Sequence, residues 1–116
     1  MTMKDQLYLL RPGFYSDGRG PLYCGDSAPV EGLLSFFPQL RERLEVHYLE
    51  FARPRSILVR SLGDEHQSLP ALVLSGDTTV RRRDLVPRLA KGKRFFAEER
   101  VIRSYLTSQY DLPEAS

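Results

Sequence analysis

Short apolar runs alternate with stretches of helical apolar spacing along this chain, and that alternation admits few folds. Gln6 to Leu10 is apolar and is stopped by Arg11-Pro12-Gly13, which reads as a buried strand. A loop containing Asp17-Gly18 and Gly20-Pro21 follows. Val30, Leu33, Leu34 and Phe37 then recur at helical spacing, and Pro38 marks the helix end. Asp26 or Ser27 caps the first turn, where Pro29 is tolerated because early N–H groups have no intrahelical partner. Leu44 to Phe51 alternates apolar and polar positions as a second strand does. Arg53-Pro54-Arg55 opens a helix through Ile57, Leu58 and Leu62, with Gly63 past its end. Pro70 to Leu74 reads as a third strand, and residues 78 to 93 lack a period and read as loop. Arg94-Phe95-Phe96 is a short fourth strand. Glu98 to Tyr110 is a last helix with Val101, Ile102, Tyr105 and Leu106 on one face, and residues 111 to 116 are a frayed tail.

The order β-α-β-α-β-β-α places the chain in the α/β class. A right-handed crossover makes the first two strands parallel, and the short connection makes strands three and four antiparallel. A mixed four-stranded sheet with helices on both faces follows, with Leu7, Leu9, Val46, Tyr48, Leu72 and Leu74 in or near its core. At 116 residues this is one domain, residues 1 to 116. The formal charge of +2 singles out no class of partner. Neither a secretory leader pattern nor an apolar run long enough to span a membrane is present, which predicts no membrane association. A single cysteine excludes a disulfide framework and predicts a reducing, cytoplasmic compartment.

That cysteine, Cys24, sits in Tyr23-Cys24-Gly25-Asp26-Ser27 at the strand-to-helix junction. The free N–H groups and the positive end of a helix favour a thiolate there, whereas the neighbouring Asp26 opposes a second negative charge. Ser27 stands where a second cysteine would complete a redox pair, and its hydroxyl is expected to donate to the sulfur. Without that partner, Cys24 acts through another molecule or is a small half-buried apolar residue.

Three features, in order along the predicted elements, resemble the thioredoxin-like superfamily over nearly the whole length. Cys24-Gly25-Asp26-Ser27 is similar to the C-x-x-C and C-x-x-S sites of thioredoxins and glutaredoxins. Gln67 to Leu74, with Leu69-Pro70, is similar to the segment carrying a cis-proline beside the active cysteine. Ala97 to Leu106 is similar to the Glu-Ser, isoleucine and Tyr-Leu pattern of glutathione transferases. More narrowly, Asp5 to Leu10, Val30 to Phe36, Arg53-Pro54-Arg55 and Leu62 to Ser68 resemble a small bacterial family of thioredoxin-like proteins of unknown function. That family often carries a C-P-x-C type site, from which Ser27 departs.

The resemblance implies a thioredoxin-like fold with sheet order 2-1-3-4 and strand 1 central. It implies monothiol thiol-disulfide exchange through Cys24, assisted by Ser27, on a small thiol, a protein disulfide or a peptide. Glutathione would serve as co-substrate, with no bound cofactor. Tyr23, Gly25, Asp26, Leu69, Pro70, Glu98 and Glu99 would surround the substrate. The alternative is a non-enzymatic adaptor that binds a peptide or protein in a cleft between the Cys24 loop and Leu69-Pro70.

Each of these residues also has a plainer role. Pro70 can simply start an edge strand, and Glu98 and Glu99 can compensate a helix dipole rather than hold the amino group of a γ-glutamyl moiety. In the resembling transferases a serine stands at the place of Glu99, so a second carboxylate there is expected to weaken glutathione binding. Phe14, Tyr15 and Tyr23 either rim the site or pack. His47 and His66 are too isolated for a metal site. Residues 77 to 94 hold seven basic side chains against Asp77 and Asp84. The basic loop from Arg81 to Arg94 lacks the aromatics of a base-stacking platform, so it is read as solvated rather than as a nucleic-acid surface.

Overall fold

In the computed structural model, which describes residues 3–116, seven strands and four helices alternate along the chain. Met1 and Thr2, the head of the stretch read for a leader, lie outside the described residues. The elements are β1 (Asp5–Leu10), β2 (Phe14–Ser16), β3 (Arg19–Leu22), α1 (Ser27–Phe36), α2 (Leu40–Arg43) and β4 (Leu44–Leu49). After these come α3 (Ser56–Leu62), β5 (Ala71–Val73), β6 (Arg88–Ala90), β7 (Lys93–Phe96) and α4 (Glu99–Gln109).

Five strands form one mixed sheet in the order β4-β1-β5-β7-β6. β1 runs parallel to β4, in a register that pairs Leu7 with Val46 and Leu9 with Tyr48, and antiparallel to β5. β7 is antiparallel to both β5 and β6. Both faces are covered, which is why β1 reads as an almost unbroken apolar run. Leu7, Leu9, Leu72, Leu74 and Phe96 meet Val30 and Leu34 of α1 and Ile102, Tyr105 and Leu106 of α4 on one face. Tyr8, Ala71, Val73 and Phe95 meet Leu58 and Leu62 of α3 on the other. Val46 and Tyr48, on edge strand β4, are only partly buried against the first cluster.

Three expectations are corrected. The sheet has a fifth strand, β6, inside the stretch read as loop, so it is five-stranded and not four-stranded, with β1 between β4 and β5. The turn from β6 to β7 places Lys91 and Gly92 at φ 49 and 75, the double positive φ that a tight hairpin requires. The loop after the first strand contains a second hairpin, β2–β3, turning at Asp17-Gly18 with φ 52 and 73. Within it, a Cβ on Gly20 would come 2.8 Å from the Phe14 carbonyl oxygen, so only glycine fits. Finally, Asp26 stands at the N-cap of α1 but makes no side-chain cap bond.

Candidate functional site

Capping of α1 falls to Cys24 instead. The Ser27 N–H donates to Cys24 Sγ at 3.3 Å, and the Ala28 N–H donates to the Cys24 carbonyl at 3.1 Å. Pro29, next in line, has no N–H to satisfy. The sulfur therefore stands in for the missing Asp or Ser cap, at the end of the helix where an anion is favoured. Cys24 itself is half-buried.

Ser27 is buried, and its hydroxyl oxygen accepts the Leu10 N–H at 3.1 Å, locking α1 to the end of β1. The hydrogen bond to the sulfur comes from the Ser27 backbone and not, as the sequence suggested, from its hydroxyl. The entry angle of the helix decides this, because it aims the N–H at Sγ and the side chain at β1.

Beside the sulfur lies a cavity of about 310 Å³ with an almost wholly apolar lining. β1 contributes Leu9 and Leu10, the following turn Pro12, the approach to α1 Tyr23 and Cys24, α1 itself Ser27, Ala28 and Glu31, and β4 Tyr48. The one carboxylate here is fully engaged. Tyr48 donates its hydroxyl to Glu31 Oε1 at 2.7 Å, Arg41 donates to Glu31 Oε2 at 2.9 Å, and Arg41 reaches the Tyr48 hydroxyl at 3.1 Å. Burial, then the bond to Glu31, raises Tyr48 above its ordinary value, so it stays a donor.

Of the residues expected from sequence, Tyr23, Cys24 and Ser27 line this cavity, while Gly25, Asp26, Leu69, Pro70, Glu98 and Glu99 do not. The Leu69–Pro70 bond is cis, as are Gly20–Pro21 and Arg53–Pro54. The register that pairs Tyr8 with Ala71 carries Pro70 toward the end of β1 where Ser27 meets Leu10. Glu98 is the exposed N-cap residue of α4, and its side chain makes no cap bond. Glu99 is held by Arg103, with 2.7 and 3.3 Å bonds to its two oxygens, so its charge is compensated one turn along the helix. The carboxylate expected to weaken glutathione binding is thus ion-paired at Glu99.

Four contributors escape a reading of the sequence: Glu31, Arg41, Tyr48 and Arg55. Glu31 lies one helical turn from Ser27, a spacing that predicts a shared face. The other three are brought in by tertiary structure alone. Arg55 is buried, and its guanidinium donates to three carbonyls, of Glu50 at 3.2 Å, Phe51 at 2.8 Å and Gln67 at 2.6 Å. Its own N–H donates to the Gln67 side chain at 2.7 Å. Among the described residues no carboxylate pairs with it. Burial, then repulsion by Arg53, lowers Arg55 below its ordinary value, and the nearby Cys24 opposes that shift. Phe51, beside this guanidinium, stacks on Phe14 at 4.5 Å and so ties the β2–β3 hairpin to the same end of the sheet.

Most of the basic loop is held against the body. Arg81 bonds the Gln109 carbonyl and Asp111, Arg82 bonds Asp84, and Lys91 bonds the Arg60 carbonyl. Arg94 bonds the carbonyls of Ser75 and Thr78. Arg88 lies 5.2 Å over the Phe95 ring. His47 bonds Gln6 at 2.7 Å and stacks on Tyr8. No helix of the described residues is long and apolar enough to cross a membrane.

The chain matches, over residues 4–114, the model of a family described as protein of unknown function (DUF3088), and it belongs to that family. Neither a curated protein nor a solved structure matches it.

Proposed function

We propose that this member of the DUF3088 family is a thioredoxin-like protein whose Cys24 performs monothiol thiol-disulfide exchange. The observation that carries the reading is the sulfur at the head of α1, taking the Ser27 N–H beside an open apolar cavity. The strand order β4-β1-β5-β7, with the cysteine at the start of the first helix after β1, supports the thioredoxin-like assignment.

In this reaction the Cys24 thiolate attacks one sulfur of a substrate disulfide. A Cys24–substrate disulfide forms and the other half leaves as a thiolate. An external monothiol of the glutathione class then attacks the substrate sulfur, and Cys24 departs as the thiolate. With one cysteine in the chain, no internal thiol can perform the second step. The N–H of Ser27 holds the anionic sulfur at the start and the end of the cycle.

A second reading, a binding adaptor, draws on exposed aromatic surface: Tyr23, next to Cys24, is 70% exposed, and Tyr15 of the β2–β3 hairpin is 63% exposed. One assay separates the two. With a dialkyl disulfide and added glutathione, the wild type is expected to release the product thiol catalytically, Cys24→Ser is expected to be inactive, and omission of glutathione is expected to stop turnover. Turnover that survives Cys24→Ser contradicts the exchange reading. An inactive wild type that retains peptide binding transfers the role to the adaptor.

A further inference from the structure

We propose that the cavity beside Cys24 selects disulfides whose reacting sulfur carries an uncharged apolar group, and disfavours those carrying a carboxylate, sulfonate or ammonium. This rests on the exchange reading above and adds the chemistry of the group delivered to the sulfur.

The cavity is lined in part by Cys24 and holds about 310 Å³, room for a group of the size of a benzyl or short alkyl chain. Leu9, Leu10, Pro12 and Ala28 present hydrocarbon to it. Its only charged lining residue, Glu31, is neutralised in place, because one oxygen accepts the Tyr48 hydroxyl and the other accepts Arg41. An anionic substituent therefore meets a carboxylate and no free cation in the lining. A cationic one must displace Arg41 from a bond already made. An apolar substituent loses no hydrogen bond on entry and removes hydrocarbon surface from water. Arg41 and Tyr48 thus set specificity by cancelling the charge of Glu31, without touching the sulfur.

Methanethiosulfonates of graded side group test this directly. The Cys24 thiolate attacks the sulfenyl sulfur, the new S–S bond forms, and methanesulfinate leaves with the electron pair. The reagents are the benzyl, 2-sulfonatoethyl and 2-(trimethylammonium)ethyl compounds. Each rate of Cys24 modification, followed by intact mass, is divided by the rate on a short cysteine peptide. The benzyl reagent is expected to lead both charged ones by about tenfold after this normalisation, the scale of burying part of an aromatic ring. Ala28→Phe, a substitution at an exposed helix position that fills the cavity, is expected to erase the preference. Arg41→Gln, which leaves the Glu31 charge uncompensated, is expected to raise the trimethylammonium rate several-fold.

Normalised rates that are equal in the wild type, or that favour a charged reagent, overturn the inference and leave the exchange reading standing. A benzyl preference that persists while no disulfide supports turnover with glutathione upholds the selective cavity and contradicts exchange alone.

Discussion

The two ends of the sheet bury polar groups in opposite ways. At the Asp5 end, a buried carboxylate is met by donors from three places. Asp5 accepts the Ser75 N–H at 2.8 Å, the Thr78 hydroxyl at 2.7 Å and the Tyr105 hydroxyl at 2.5 Å. The Ser75 hydroxyl in turn donates to Asp77, and Arg94 fastens the same turn through two carbonyls. At the Cys24 end, a half-buried sulfur takes one backbone N–H, and a buried guanidinium faces carbonyls without a carboxylate. The first arrangement satisfies its carboxylate wholly from donors within the fold. The second leaves a half-buried thiol beside an apolar cavity and a guanidinium met by carbonyls alone, the arrangement on which the exchange proposal rests.

The contrast is most easily broken by removing each centre and measuring both stability and Cys24 reactivity. Asp5→Ala leaves two buried donors, the Ser75 N–H and the Tyr105 hydroxyl, without this acceptor and is expected to cost about 3 kcal/mol or more in denaturant unfolding. Alkylation of Cys24 in the protein that remains folded is expected to stay within about twofold of wild type, since the networks share no residue. Equal losses in both readouts would show that the ends act as one unit.

Arg55→Leu strips hydrogen bonds from the carbonyls of Glu50, Phe51 and Gln67 and is expected to cost about 2 kcal/mol. Unlike Asp5→Ala, it is also expected to slow Cys24 alkylation several-fold, with Arg55→Lys recovering part of the rate. A variant that is destabilised but reacts normally would make Arg55 purely structural.

The Asp5 end also has a pH signature, larger than that of Tyr48 at the Cys24 end because only Tyr105 is pushed far above the ordinary range. Burial first, and then the bond to Asp5, raises Tyr105 well above the ordinary tyrosine range. Above about pH 10 the unfolded chain loses this proton while the folded chain keeps it, so stability falls as pH rises. Wild type is expected to lose about 1.4 kcal/mol from this source by pH 11, and Tyr105→Phe to lack that component. A wild-type alkaline slope identical to that of Tyr105→Phe would contradict the assignment.

The smallest change sharpens the site itself. Ser27→Ala removes the acceptor of the Leu10 N–H and is expected to cost about 1 kcal/mol. Its backbone N–H remains, so Cys24 alkylation is expected to be unchanged. A clear fall in that rate would return the hydroxyl to the role the sequence suggested.

These distinctions were only partly visible in the sequence. β1, β4 and β5 were legible because burial between layers, or the alternation of a half-covered edge strand, leaves a run of apolar residues. β2, β3 and β6 were not, because strands of three or four residues are too short to show a period, and Arg19-Gly20-Pro21-Leu22 adds charge, glycine and proline. Asp17-Gly18 and Lys91-Gly92 did carry the turn signal, and reading them as hairpin turns would have found both pairs. At the site, the spacing of Cys24 from the apolar face of α1 located the sulfur. Which atom of Ser27 faces it depends on the helix entry angle, which spacing does not encode. Glu31, Arg41 and Tyr48 come from α1, α2 and β4, and only the packing of α1 against the sheet brings them together.

The central claim is that the fold makes Cys24 a better nucleophile than its residue type provides. The direct measurement is the rate of Cys24 alkylation by iodoacetamide at pH 7 in the native protein, against the same chain unfolded in urea at the same pH. The account predicts a native rate higher on the order of tenfold, because the fold holds Sγ against the Ser27 N–H at the head of α1 beside an open cavity. A native rate equal to or below that of the unfolded chain would contradict it.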